Sequence, residues 1–93
     1  MTFPIVWKPQ ARADLAEIIT FIAEHSPASA RVMKSLIEAA TLPAAEHPYL
    51  FRSGRVPGTR EIVAHPNYIV VYRVTTIAIE ILTVVHSRQQ YPQ

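Results

Sequence analysis

A change of hydrophobic period halfway along the chain is the feature that most constrains its fold. Between residues 9 and 40 the apolar residues recur at spacings of three and four, which is the period of an amphipathic helix. Between residues 60 and 85 they form short runs rich in valine, isoleucine and tyrosine, which are typical of strands. The sequence therefore predicts a helical first part and a β-sheet second part.

Two apolar stripes predict two helices joined by a tight connection. The stripes comprise Ala11, Leu15, Ile18, Ile19 and Ile22, and then Ala30, Met33, Ile37 and Ala40, with Leu36 at the margin of the second. Pro9 stands where a first helical turn tolerates proline, and the first helix should end near His25. Ser26 is placed to cap a second helix that opens at Pro27. So short a connection predicts an antiparallel helical hairpin.

Four strand-like runs lie before and after this hairpin. They are TFPIVW (2–7), REIVA (60–64), NYIVVYRV (67–74) and AIEILTVV (78–85). Pro4 favours a sheet edge for the first run, whereas the almost continuously apolar third run is typical of a central strand. We expect turns at Pro66-Asn67 and Thr75-Thr76, and an irregular connection over residues 47–58.

These elements predict one domain spanning residues 1–93 with the order β-α-α-β-β-β. Helices and strands that are segregated along the chain indicate the α+β class. We therefore predict a two-layer fold in which the helical hairpin packs on one face of a mostly antiparallel sheet. The other face would be left to solvent or to a partner.

The charge balance limits the partners that the chain can bind. Its net charge is only +2 at pH 7, and residues 47–93 carry five arginines, two glutamates and no lysine. This excess is too small for tight binding of duplex DNA, because each neutralised phosphate needs its own cation. Arginine instead suits the bidentate recognition of carboxylate or phosphate groups. Apolar residues make up 49% of the chain and charged residues 17%, so we expect an apolar surface that meets a partner.

Neither a disulfide nor a metal, a cofactor or a membrane span is indicated. The chain has no cysteine, and no apolar run approaches the roughly 18 residues that a transmembrane helix needs. In the predicted register His65 lies opposite His86, but no third ligand completes a zinc site. The opening Met-Thr-Phe-Pro lacks the basic and apolar regions of an export signal, so we expect a cytoplasmic protein.

The segment RSGRVPGTREI holds both glycines of the chain and three of its arginines, Arg52, Arg55 and Arg60. Pro57-Gly58 predicts a type II turn in which the glycine adopts a positive φ. The arginines are candidates for binding the carboxylates or phosphates of a partner, and the alternative is an ordinary solvated turn.

Arg73 lies inside the predicted central strand. A two-residue turn at Thr75-Thr76 would pair Arg73 with Ala78 and place it diagonal to Glu80. A structural ion pair is the preferred interpretation, and the alternative is that Arg73 marks the open sheet face as a binding surface.

The tail HSRQQY carries three residues that could act on RNA: His86, Arg88 and Tyr91. Histidine could transfer a proton, arginine could stabilise a phosphorane-like charge, and tyrosine could stack on a base. The alternative is a polar strand end with Tyr91 folded back as an anchor.

Three stretches together resemble the RelE/ParE superfamily of type II toxins over nearly the whole chain. They are VWKPQARADLAEIITFIAEHSP, HPYLFRSGRVPGTREIVAHPNYIVVYRV and VVHSRQQYP. Residues 54–74 and the later His-x-Arg are most similar to the ParE branch. The resemblance implies a helical hairpin on an antiparallel sheet, in agreement with the element order above.

The resemblance also implies a cytoplasmic toxin that a cognate antitoxin neutralises in a hetero-oligomer. ParE-like toxins are associated with inhibition of DNA gyrase and RelE-like toxins with cleavage of mRNA in the ribosome. His86, Arg88 and Tyr91 occupy tail positions comparable to those of the nucleases, but Ile69 stands where RelE carries an arginine. We therefore expect a gyrase inhibitor. The alternatives are a ribosome-dependent mRNA endonuclease, in which His86, Arg88 and Tyr91 would be the catalytic residues, or a non-toxic binding relative. The candidate partner-binding residues are Arg52, Arg55, Arg60, Arg73 and Arg88.

Overall fold

The computed structural model describes residues 2–92, and its elements follow the predicted order with two short additions. They are β1 (Ile5–Trp7), α1 (Pro9–Ala23), α2 (Pro27–Ala40), α3 (Leu42–Glu46), β2 (Arg52–Ser53), β3 (Arg60–His65), β4 (Tyr68–Val74) and β5 (Ile79–His86). The additions are α3 and β2, which are too short to show an apolar period in the sequence. β2 lies inside the connection that was expected to be irregular.

The sheet has five strands in the order β1-β5-β4-β3-β2. All neighbouring strands are antiparallel except β1 and β5, which are parallel. β1 is an edge strand, as Pro4 predicted, and β4 is the central strand, as its apolar run predicted. The α+β class and the mostly antiparallel sheet are thereby confirmed.

The helical hairpin covers one face of the sheet. Pro9 and Pro27 each open a helix, and the Ser26 hydroxyl accepts a hydrogen bond from the Ser29 N–H, as expected of an N-cap. Both predicted stripes face the core, whose buried members are Ala11, Leu15, Ile37, Ala44, Ile62, Tyr68, Val70, Tyr72, Ile79, Ile81 and Val84. No helix in the described part of the chain is both long and apolar enough to cross a membrane.

A second, smaller apolar cluster lies on the opposite face of the sheet, which we call the open face. Ile69, Val71 and Val85 are buried there, and the half-buried ring of Tyr91 packs on them. Successive β4 side chains point to alternate faces, so Ile69 and Val71 alternate with the core members Tyr68, Val70 and Tyr72. The tail therefore shields the centre of the face that the helices leave uncovered.

The β4–β5 turn lies one residue later than predicted. The Thr75 N–H donates to the Ala78 carbonyl at 2.9 Å, so the central turn residues are Thr76 and Ile77. The Thr75 hydroxyl accepts from the N–H groups of Ile77 and Ala78, and these side-chain bonds fix the later turn.

Two side-chain pairings differ from the predicted register. Arg73 lies directly opposite Glu80 rather than diagonal to it. The prediction that His65 lies opposite His86 is wrong, because each histidine pairs with Tyr68, which lies between them. The later turn places Arg73 opposite Glu80, whereas the histidines are separated because β4 lies between β3 and β5. Register shifts also occur between Val63 and His65 and at Val71/Tyr72, and such irregularities leave no clear sequence signal.

Candidate functional site

Two of the three loop arginines hold a buried carboxylate. Glu61 on β3 has a side chain that is only 3% exposed, and it lies 3.1 Å from Arg52 Nη2 and 3.5 Å from Arg55 Nε. The Arg55 backbone N–H donates to the same carboxylate at 3.1 Å. A buried charge needs such pairing, so part of the loop's positive charge serves the fold. We call Glu61, Arg52 and Arg55 the carboxylate clamp.

The clamp also holds the C-terminal tail. Arg55 Nη1 donates to the backbone carbonyl of Tyr91 at 3.2 Å. Because Arg55 is fixed by Glu61 at the same time, the buried carboxylate and the tail on the open face share one guanidinium. The sequence reasoning missed Glu61, although an acidic residue directly after an arginine-rich loop, at the start of a strand, is a signal that could have found it.

Arg60, the third loop arginine, has different partners. Its Nη1 donates to the backbone carbonyls of Phe51 at 2.7 Å and Tyr49 at 3.3 Å, and its guanidinium lies over the Tyr49 ring, 4.9 Å from the centroid. Within residues 2–92 no carboxylate pairs with it. Arg60 therefore fixes the segment before β2 through neutral acceptors and keeps an unbalanced charge.

Tyr72 reinforces the same segment from the core. Its hydroxyl donates to the Pro48 carbonyl at 2.6 Å. Burial raises the pKa of Tyr72 above its ordinary 10.0, and the nearby charge of Arg60 opposes this rise. Residues 48–51 are thus tied to the sheet by one neutral and one charged donor.

The glycines serve the turn that separates the loop arginines. The Thr59 N–H donates to the Val56 carbonyl at 3.1 Å, and Gly58 has a φ of +83°, which matches the predicted type II turn around Pro57-Gly58. Gly54 is required for a different reason, since a Cβ there would lie 2.2 Å from Thr59 Oγ1. A side chain at Gly54 would therefore force Thr59 to shift at the base of the hairpin.

Arg73 forms the ion pair that the sequence favoured. Its Nε lies 2.6 Å from Glu80 Oε1, and Lys8 Nζ lies 3.9 Å from the other oxygen of the same carboxylate. The side chains of Arg73 and Lys8 are half-exposed, so solvent screens this group more than it screens the clamp.

The tail residues do not form a single cluster. The His86 ring makes an edge contact with Tyr68 at 5.5 Å between centroids and lines a groove of about 670 Å³ beside α1, whereas Tyr91 packs on the open face. The Nδ1 of His86 accepts the Arg88 N–H, and the Arg88 side chain is exposed. His86 and Tyr91 thus lie on opposite sides of the sheet.

The groove beside α1 contains Asp14, another residue that the sequence reasoning missed. Its carboxylate accepts hydrogen bonds from the Thr83 hydroxyl and from the Val84 N–H, and so attaches α1 to the irregular part of β5. Within residues 2–92 no group of three or more acidic or histidine side chains is placed to hold a metal ion.

Comparison with known proteins assigns the family. Residues 5–91 match the family described as ParE toxin of the type II toxin–antitoxin system parDE. A protein of Sinorhizobium fredii named as a candidate toxin, Y4kP, is 40% identical over 90 residues, which cover 96% of this chain and 93% of that protein.

Solved structures share the fold at lower sequence identity. A chain of the chromosomal ParDE system of P. aeruginosa superposes with a TM-score of 0.80 at 22% identity, over 91% of this chain and 96% of that one. A chain of the RelBE2 toxin–antitoxin complex of Mycobacterium tuberculosis superposes with a TM-score of 0.62 at 21% identity, over 92% and 99%. The family match and the 40% identical relative together show that this chain belongs to the ParE toxin family of type II toxin–antitoxin systems.

Proposed function

We propose that this chain is a cytoplasmic toxin that inhibits DNA gyrase through protein–protein contact and that a cognate antitoxin neutralises. The observation that carries the proposal is the separation of His86 from Tyr91 by the sheet. A general acid or base must lie within hydrogen-bond reach of the group it serves, and a tyrosine on the other face cannot complete such a site with His86. The arrangement supports binding over RNA chemistry.

The distribution of charge supports the same choice. Glu61 balances part of the charge of Arg52 and Arg55, and Glu80 is shared by Arg73 and Lys8. A nuclease that holds an RNA backbone gains affinity from each cation it places on a phosphate. Arginines that are already paired with carboxylates contribute less to such binding, so a protein target is the better match.

The antitoxin part of the proposal draws on the exposed apolar side chains. Among the described residues these are Val6, Phe21, Val32, Leu36, Leu42, Tyr49, Leu50, Val63 and Ile77, each between 41% and 77% exposed. A partner that covered some of these side chains would remove apolar area from water, which favours association. The ParDE and RelBE2 names of the structural neighbours, each a toxin–antitoxin system, agree with a hetero-oligomer.

A supercoiling assay tests the gyrase proposal directly. The purified toxin is added to DNA gyrase and relaxed plasmid, with and without the antitoxin encoded beside it. We expect supercoiling to fall as toxin is added and to recover when antitoxin is present. Normal supercoiling at a large excess of folded toxin would overturn the proposal.

A second assay tests the nuclease alternative on the same preparations. Primer extension on mRNA from cells expressing the toxin would reveal cleavage at fixed codon positions if the ribosome were the target. We expect no such cleavage, and growth inhibition should survive His86→Ala and Tyr91→Phe. Overexpression without antitoxin that leaves growth unaffected would instead identify a non-toxic binding relative.

A further inference from the structure

A small pocket lies where the segment before β2 meets the β2–β3 turn. It has a volume of about 340 Å³, which is at the lower end of the range for ligand pockets. Its walls include the Tyr49 ring and Val74, and its polar groups include Ser53, the backbone around Gly58, and Arg60. Among residues 2–92 no acidic side chain lines it.

Arg60 is the unbalanced charge of this pocket. Arg52 and Arg55 are paired with Glu61, and Arg73 is paired with Glu80, but no carboxylate in residues 2–92 pairs with Arg60. Arg60 Nη1 donates both of its hydrogen bonds, and the acceptors are neutral backbone carbonyls. A guanidinium carries five N–H donors in a planar fork, so the donors on Nε and Nη2 remain for a ligand.

The guanidinium is also held in place before any ligand binds. The Tyr49 ring lies against it at 4.9 Å, and the carbonyls of Tyr49 and Phe51 fix Nη1. An arginine that is already ordered loses less conformational entropy on binding than a free one. This favours a ligand that accepts two parallel hydrogen bonds, which is the geometry of an oxyanion.

Size and charge favour one carboxylate over a nucleic acid strand. A strand presents a phosphate at every nucleotide and needs a matching row of cations. Here the neighbouring arginines Arg52 and Arg55 have their own carboxylate, and the pocket walls are partly apolar. Leu50, next to the pocket residue Tyr49, is 64% exposed and extends the apolar surface.

We propose that this pocket is a carboxylate-binding site that takes a glutamate or aspartate side chain from an acidic, partly apolar segment of a partner protein. Arg60 is the anchor, Ser53 lies opposite it on β2, and Tyr49 and Val74 contact the neighbouring apolar side chains. The identification of the partner as the antitoxin rests on the proposed function. The proposal that the pocket binds a carboxylate is independent of it.

The test is a titration of the folded protein monitored by NMR, with signals from Ser53, Gly54, Gly58 and the Arg60 Nε–H. The probes are N-acetyl-Leu-Glu-Leu-amide, the matched peptide with Gln in place of Glu, and inorganic phosphate. We expect the Glu peptide to shift these signals and to bind at least about tenfold more tightly than the Gln peptide, which is the effect of about 1.4 kcal/mol. Equal binding of the two peptides, shifts confined to other residues, or tighter binding of phosphate would each overturn the proposal.

A matched pair of variants isolates the charge of the pocket. Gly58→Asp and Gly58→Asn place side chains of the same shape beside the pocket; a Cβ there meets no heavy atom within 4 Å, and both residue types tolerate a positive φ. The Asp variant should weaken the Glu peptide about tenfold more than the Asn variant, because its own carboxylate competes for Arg60. Equal affinities in the two variants would contradict the proposal.

A second pair of variants provides the same comparison if the substitutions at Gly58 unfold the turn. Ser53→Asp and Ser53→Asn repeat the comparison at an exposed strand position directly opposite Arg60. The same tenfold difference is expected there, and its absence in the folded variants would overturn the proposal even if both Gly58 variants failed to fold. Gyrase plays no part in these titrations, so a negative supercoiling assay and a negative peptide titration are separate results.

Discussion

Replacement of Glu61 by glutamine tests whether the carboxylate clamp stabilises the fold. The glutamate presents two oxygens to three donors: Arg52 Nη2 at 3.1 Å, Arg55 Nε at 3.5 Å and the Arg55 N–H at 3.1 Å. Glutamine keeps one oxygen and turns an NH₂ group toward a cation, so at least one bond to a charged group is lost at a site that is 3% exposed. Such a bond contributes about 1.5–3 kcal/mol.

The two arginines limit this cost because they can be hydrated. Their side chains are 57% and 37% exposed, so water can solvate the two guanidinium groups and replace part of the stabilisation that the carboxylate gave them. We therefore expect Glu61→Gln to lower the free energy of unfolding by about 2 kcal/mol. For a domain of this size that corresponds to a fall in Tm of roughly 8–16 °C.

The assay is thermal and urea unfolding followed by circular dichroism, with Glu80→Gln as the control. Glu80 also has two cationic partners, but its side chain is 20% exposed and those of Arg73 and Lys8 are 51% and 42% exposed. The control should therefore lose less than about 1 kcal/mol. If the two variants lost the same free energy within about 0.5 kcal/mol, burial of the clamp would not be the source of its stability, and the reasoning would be refuted.

Three further substitutions test other parts of the fold. Tyr72→Phe should cost about 1 kcal/mol by removing the bond to Pro48. The pKa of Tyr72 in the folded protein is raised above 10.0. The Tyr72 hydroxyl therefore contributes fully to the free energy of unfolding below pH 10, and this contribution is lost as the pH rises through the raised pKa. The Phe variant should accordingly lose less stability than the wild type between neutral and strongly alkaline pH. Tyr91→Ala should cost about 1–2 kcal/mol and increase the binding of a hydrophobic dye, because it uncovers the apolar cluster of the open face, and an unchanged Tm would contradict this packing. Gly54→Ala should lower stability by about 1–3 kcal/mol through the contact with Thr59, and wild-type urea unfolding of that variant would show that the hairpin base has room.

The helices and central strands could be predicted because the helix-start and strand preferences of individual residues agree with the packing there. Pro9, Pro27 and the Ser26 cap mark helix starts that the apolar stripes confirm, and the β4 run is rich enough in β-branched residues to favour a strand. α3 and β2 escaped prediction because elements of five and two residues have no measurable period. The turn at Thr76-Ile77 is set by hydrogen bonds of the Thr75 hydroxyl, which composition alone does not locate.

The candidate site was harder to predict, because adjacency in sequence does not give the face of the sheet. His86, Arg88 and Tyr91 are close along the chain, yet the chain turns after β5 and carries Tyr91 to the open face. The sequence singled out the loop arginines as candidates for partner binding but did not give their acceptors within the fold, which come from Glu61, from the tail and from the carbonyls of residues 49 and 51. Those pairings depend on the β2–β3 register and could not be derived from residue types.

The pairing of the arginines also changes what the small net positive charge of the chain implies for its target. In the unfolded chain Arg52, Arg55 and Arg60 form one cationic segment. In the fold the first two share Glu61, which neutralises part of their charge, and Arg60 has no carboxylate partner within residues 2–92. A surface with isolated cations separated by apolar side chains discriminates among carboxylates on a protein partner through geometry. It gains little on a polyanion, whose affinity grows with the number of phosphates neutralised at once. The pairing of Arg52 and Arg55 with Glu61 therefore supports the proposal that the partner of the loop is a protein and not a nucleic acid.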